Sequence, residues 1–339
     1  MIKSWIAKDN VSSTTTVAAT PNRTGSVLYT DAQVNWNSGA VFLACIAVLT
    51  FLVNTLILVV FIRHHDLRSS FTVYIMALLS ANALYCVTDD IFVIIEHVFA
   101  LFPLGYGSCT FRLYSGWVLT GIQPHMHVLI TVNRIWAIAF PISYRQKHTI
   151  KTAVFLVIAA IVYVHIICAP GVVVDAMFYR HPVEVNGCNI NIDYHGQIVW
   201  EAICMIVIYD LPIFFMAAAF PFLWRQTRKQ KMLVKHSDTA MTVTPAQIIV
   251  KKRGTTKGFL VLTALTTGVV ICWTPYNMYY TVGVFVDVDI PIMRQVGFYL
   301  YSIQPLLDPL LILITMKDLR VAIKNDVFRL SKFDFMRIV

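Results

Sequence analysis

Charge is what this sequence has least of. Asp, Glu, Lys and Arg make up 13% of its 339 residues and hydrophobic residues 58%, against about 25% charged and about 45–50% apolar in soluble domains. So little charge cannot clothe water-exposed domains, and most of the chain must face lipid. Self-similar halves with Gly- or Pro-interrupted helices are missing, which argues against a secondary transporter. His-Glu-x-x-His and Gly-x-Ser-x-Gly are missing too, which argues against an intramembrane enzyme. The first 38 residues hold a polar run, Ser12 to Thr16, and no apolar core. They are expected to form a disordered tail and not a secretory signal.

What is present is a series of apolar stretches at about 39–62, 71–98, 109–138, 150–174, 197–224, 256–286 and 291–316. Each meets the ~20 residues that a membrane-crossing helix requires. The expected fold is an all-α membrane protein, a seven-transmembrane helix bundle over residues 39–316, between a tail (1–38) and a C-terminal segment (317–339). With the N-terminal tail outside, 21 of the 27 Lys and Arg residues fall on the inner side. They include Arg63, Arg68, Arg145, Lys147, Lys151, nine between Arg225 and Lys257, and six in the C-terminal segment. This is the positive-inside asymmetry, and it accounts for the net charge of +9 without nucleic acid as a partner. The expected location is the plasma membrane, with the N-terminus extracellular and the C-terminus cytoplasmic. Two glycosylation patterns, at Asn10 and Asn22, lie in the same outer tail.

From Met316 to Leu330, the residues Leu319, Ile323, Val327 and Leu330 recur at helical spacing, with Lys317, Arg320, Lys324 and Arg329 available to headgroups. A short amphipathic helix on the membrane surface fits this pattern; a disordered basic tail is the other reading. No Cys follows Cys272, so a palmitoyl anchor is excluded there.

Several motifs sit at matching depths in these spans. Asn54 follows Phe51-Leu52-Val53; Leu78, Ala81 and Asn82 mark the second span; Cys109 opens the third and Asn133-Arg134-Ile135 closes it, followed by Pro141 and Tyr144. Pro212 lies in the fifth span, Cys272-Trp273-Thr274-Pro275 in the sixth and Asp308-Pro309-Leu310-Leu311-Ile312 in the seventh. In order and spacing the sequence resembles the rhodopsin-like G protein-coupled receptors across all seven spans. The resemblance implies an extracellular ligand, a heterotrimeric G protein as partner, and neither a cofactor nor an enzymatic activity.

The resemblance also assigns roles. Arg134, with Asn133, Ile135, Pro141 and Tyr144, corresponds to the G protein-coupling end. Trp273 and Pro275 correspond to the activation pivot, although Pro275 also kinks a helix by itself. Asn54, Asn82, Asp308 and Pro309 correspond to the polar mid-membrane switch. Five Cys residues lie inside spans, and Cys109 and Cys188 fall in outer positions where an oxidising compartment would join them.

Departures from the family pattern are informative. The acid before Arg134 is replaced by Asn133. Thr255 and Thr256 stand where an acid would face it, and two family tyrosines read Phe220 and Ile312. Losing the acid should loosen the inactive state, and losing both hydroxyls the active one. The usual second-span acid and seventh-span amide are exchanged as Asn82 and Asp308. The exchange implies that they remain neighbours. It leaves a sodium site there in question, with interhelical hydrogen bonding as the plain alternative. Pro124 suggests a local bend, and His125, His127 and His165 are read as hydrogen-bonded within the bundle and not as metal ligands.

The expected outer half is acidic: Asp89, Asp90, Glu96, Asp175, Glu184, Asp193, Glu201, Asp287 and Asp289 outnumber its basic residues. Such a mouth would steer cationic ligands; outer loops left acidic because Lys and Arg are kept inside are the bland alternative. Asn82, Asp89 and Glu96 are spaced seven apart, so they share a helix face. By resemblance, amine receptors carry an Asp seven residues after the third-span Cys, where this sequence has Gly116, and retinal attachment would need a Lys that the seventh span lacks. A basic or amidated peptide is therefore the expected ligand. Its candidate contacts are Asp89, Arg112, Gly116, Glu201, Tyr276, Asn277, Tyr280 and Phe298. A non-signalling relative of these receptors is the main alternative, a small-amine receptor the next.

Overall fold

The computed structural model describes residues 36–99, 102–183, 187–237, 245–286 and 290–326, with the side chains of residues 227 and 229–262 excepted. Asn10, Asn22, Glu184, Asp287, Asp289, Val327, Leu330 and the side chains of Thr255 and Thr256 fall outside this description. Among the described residues there is no strand.

The helices are α1 (Ser38–Arg63), α2 (Ser70–Val98), α3 (Gly105–Ala139), α4 (Pro141–Lys147), α5 (Ile150–Tyr179), α6 (starting at His195 and ending at Ser237), α7 (Pro245–Phe285), α8 (Pro291–Thr315) and α9 (317–326). Of these, α1, α2, α5, α6 and α8 are long and apolar enough to cross a membrane. The 35 residues of α3 and 41 of α7 span about 52 and 61 Å at 1.5 Å per residue, well beyond the ~30 Å hydrocarbon core. Helix α3 is more polar because Gln123, His127, Thr131 and Asn133 are buried in the bundle. It runs through the middle, against α2, α5, α6 and α7, and α8 closes the ring between α7 and α1. Outward positions such as Leu52, Phe155 and Ile166 are exposed and apolar, as a lipid-facing surface requires.

Helix starts carry their own signals. The Asn37 side chain accepts from Ala40 N at 2.8 Å and donates to the His97 carbonyl at 3.3 Å, capping α1 and tying it to the end of α2. Ser69 and Thr72 form a capping box at α2, and Thr149 caps α5.

Two features lie beyond the apolar pattern. Short α4 begins with Pro141 at its first position, where a missing N–H costs nothing. Among the described residues, three helices contain a π-helical turn, at Cys86–Asp90 in α2, Asp175–Tyr179 at the end of α5 and Met205–Asp210 in α6. Each turn holds a buried carboxylate: Asp89, Asp175 and Asp210.

Helix α9 matches the expected amphipathic segment but docks more firmly than a surface helix. Leu319 is fully buried and Ala322 nearly so, in the cluster that holds Val60, Phe61 and Ile312, while Lys317, Arg320 and Lys324 are exposed. His64 and Asp326 meet at 3.1 Å and link its far end to α1.

Candidate functional site

The bundle has three polar layers. At mid-depth, Pro309 has no N–H, so the carbonyl four residues earlier, that of Pro305, lacks its helical donor. Asn54 Nδ2 donates to it at 3.0 Å and Asn82 Nδ2 at 3.3 Å, so both amides serve a proline-orphaned carbonyl. Asp308, fully buried, accepts from Asn82 Nδ2 at 3.2 Å and Gln304 Nε2 at 2.7 Å, and His127 Nε2 lies 3.2 Å from its Oδ2. Asn82 and Asp308 are thus direct neighbours, and the carboxylate is surrounded by nitrogens. Gln304 was not expected from the sequence; its position one turn before Asp308 is the signal. The His127 ring also meets Trp273 edge-on at 5.7 Å, and Trp273 lies 5.8 Å from Tyr301. One imidazole therefore joins the Asp308 cluster to the indole above it. His125 and His165 are hydrogen-bonded within their helices, to Gly121 and to Ile161, each at 2.8 Å.

At one end, Asn133 does not contact Arg134 in the manner of an acid. Its Nδ2 donates to His148 Nε2 at 2.8 Å, Tyr74 OH lies 2.9 Å from the same nitrogen, and Tyr144 OH donates to Asn133 Oδ1 at 3.4 Å. An amide NH2 only donates, so His148 Nε2 carries a lone pair and the ring is neutral. Burial, with the Arg134 charge second, holds the His148 imidazole below its ordinary value. The Arg134 guanidinium lies over the Phe71 ring at 3.4 Å, a cation–π contact. Tyr144 stacks on His148 at 4.6 Å. Ile135 packs against the main core, and Pro141 is exposed at the start of α4. His148, Tyr74 and Phe71 carried no signal in the sequence, because their roles depend on which helices meet there.

At the opposite end, Cys109 at the start of α3 is disulfide-bonded to Cys188, with Cα atoms 5.4 Å apart. Arg112, one turn on, donates to the Cys188 carbonyl at 2.9 Å and pairs with Glu96 at 2.8 Å. Beside it, the buried Arg180 donates to Asp175 at 2.6 Å and to Thr110 at 2.6 Å, and Asp175 accepts from Asn191 N at 2.8 Å. This fixes the segment after α5 across the top of α3. Below lie the rings of Tyr276, Tyr280, Phe298 and Tyr301, with Tyr276 4.5 Å from Tyr280, 6.2 Å from Phe298 and 4.7 Å from Tyr301. Asp89 is buried against Gly116; Glu201 and Asn277 are also buried. Asp210 accepts from Thr281 at 2.6 Å. Tyr85 and Tyr209 were not expected here, because the π-helical turns that re-aim α2 and α6 leave no periodic signature; Tyr301 on α8 was not expected either.

Comparison with known proteins agrees with this arrangement. The model of a family described as 7 transmembrane receptor (rhodopsin family) matches residues 53–311. The chain is 22% identical over 243 residues to the human "Probable G-protein coupled receptor 19", covering 71% of this chain and 55% of that protein. It is also 22% identical over 121 residues to the rat protein of the same name, covering 34% of this chain and 29% of that one. The chain therefore spans about half the length, or less, of these curated relatives.

Proposed function

Since the chain belongs to the rhodopsin family of seven-transmembrane receptors, a family of receptors and not of enzymes, we propose that it binds an extracellular cationic ligand and activates a heterotrimeric G protein. The ligand is a basic or amidated peptide. It enters at the disulfide-bearing end, the extracellular one by the positive-inside rule, and the Arg134 end faces the cytoplasm at the plasma membrane.

The observation that carries this reading is the opposed polarity of the two ends. Beneath the disulfide, Asp89, Glu96, Asp175, Glu201 and Asp210 are buried and Arg112 and Arg180 are already paired, so the mouth attracts cations. At the other end Arg134 has no carboxylate partner among the described residues and rests on Phe71, from which a docking helix can draw it at modest cost. Between them, Tyr301, Trp273, His127 and Asp308 form a continuous chain of contacts, through which a ligand could bias the far end. A mid-membrane sodium ion is not part of this reading, since nitrogens surround Asp308.

A second reading, a receptor relative that does not signal, is favoured by Phe220 and Ile312, which lack the two hydroxyls. G protein activation in cells, measured without ligand and against a library of amidated and basic peptides, tests both. Activation by basic peptides that is lost in Arg134→Ala supports the proposal. Response to small amines alone would overturn the peptide assignment, and silence of wild type under every condition would favour the second reading.

A further inference from the structure

Most buried carboxylates in this bundle have visible compensation. Asp175 pairs with Arg180, Glu96 with Arg112, Asp308 takes donors from Asn82 and Gln304, and Asp210 takes one from Thr281. Asp89 differs. It is 6% exposed on α2 and, among the described residues, pairs with no Lys, Arg or His within ion-pair distance. Arg112, whose field reaches it, is held by Glu96 and the Cys188 carbonyl. A buried, unpaired carboxylate is expensive.

Its position is specific. A Cβ on Gly116 would stand 2.6 Å from Asp89 Oδ1 and 3.3 Å from its Cγ, so the carboxylate of α2 occupies the space where a side chain of α3 would begin. Gly116 is what admits it. The π-helical turn at Cys86–Asp90 supplies the aim, because its wider turn rotates Asp89 away from where a regular helix would direct it. Tyr85 and Tyr301 both lie within the electrostatic reach of Asp89. Tyr276 packs on Tyr301 at 4.7 Å, and Trp273 lies 5.8 Å from Tyr301. Aromatic faces beside a buried anion form the setting in which a desolvated ammonium is stabilised.

We infer that Asp89, delivered across the bundle into the gap at Gly116, is the counter-ion for a primary ammonium next to an aromatic group on the ligand. This rests on the receptor reading above and deepens it. An ammonium fits better than a guanidinium because a single carboxylate hemmed in by α3 offers a point contact and not an open fork. Two sources share this chemistry: the free N-terminus of a peptide that begins with an aromatic residue, and a free arylalkylamine. The lack of an acid on α3 at position 116 therefore does not exclude amine recognition, since α2 provides the charge from the other side.

The test uses purified full-length receptor and three probes at millimolar concentration. L-phenylalaninamide stands for the peptide terminus, phenethylamine for the free amine and N-acetyl-L-phenylalaninamide for the uncharged control. The two cationic probes should raise the melting temperature and the acetylated one should not. Asp89→Asn, which keeps the shape, should weaken the better cationic probe at least tenfold. Asp89→Asn combined with Gly116→Asp, which returns a carboxylate to nearly the same place from α3, should recover most of that loss. Gly116→Ala should weaken binding by displacing the carboxylate. Equal binding of the acetylated probe, no cationic stabilisation of wild type, unchanged affinity in Asp89→Asn, or no recovery in the double variant would overturn the assignment. Peptide-driven signalling that survives Asp89→Asn would refute this inference and leave the receptor reading intact. Asp89-dependent binding without any G protein response would do the reverse.

Discussion

Replacing Asn82 by Asp would restore the family's usual second-span residue, yet here it should be harmful. Asn82 Nδ2 lies 3.2 Å from Asp308 Oδ2 and 3.3 Å from the Pro305 carbonyl, and an ionised Asp can donate to neither. Two carboxylates about 4 Å apart repel by about 4 kcal/mol at an effective dielectric constant of about 20; holding a proton on one of them to escape this carries a penalty of its own. At about 2.1 cal/mol/K of unfolding entropy per residue, a 339-residue chain shifts by about 1.4 °C per kcal/mol, so Asn82→Asp should melt roughly 6 °C below wild type in detergent. Asp308→Asn alone should also destabilise, because His127 and Gln304 lose an anion. The double variant puts one carboxylate and one amide back in contact, so it should melt above both single variants, a coupling that a double-mutant cycle isolates. A melting temperature for Asn82→Asp within about 2 °C of wild type, or a double variant no better than its parents, would refute the reasoning.

Three further outcomes follow from the same geometry. The fold holds His148 neutral and below its ordinary value of 6.5, so that contribution is complete above that pH and declines as pH falls through it. Melting temperature should drop between pH 7 and 5, and His148→Gln should flatten the dependence. Asn133→Asp places an acid beside Arg134 and removes the donor to His148, so agonist-free G protein activation in cells should fall; an unchanged basal signal would show that the missing acid does not loosen the inactive state. A Cβ on Gly171 would lie 2.0 Å from the Trp200 indole, so Gly171→Ala should destabilise by about 1–3 kcal/mol through overpacking, and Trp200→Leu in the same chain should relieve much of it in a thermal melt.

Much of the candidate site was legible before the fold. Asn54, Asn82, Asp308 and Pro309 announced a mid-membrane polar layer by residue type, and Cys109 and Cys188 their bond by location. Asn133 and Arg134 were legible as positions but not as contacts. The amide turned to His148 and the guanidinium to Phe71, partners contributed by other helices. The even spacing of Asn82, Asp89 and Glu96 suggested a regular face, whereas a π-helical turn interrupts it between the first and the third.

The sequence alone determined that the chain lives in lipid, how many times it crosses and which end is basic. These depend on composition and on runs of side chains, and they are additive along the chain. Only the tertiary structure decided which buried charges are compensated. A carboxylate's partners are set by helix packing and by π-helical turns that shift the register of a face by one residue, and neither has a local signature. Gly116 shows the difference most simply: in sequence it is the absence of an acid, and in the folded bundle it is the space that an acid from another helix fills.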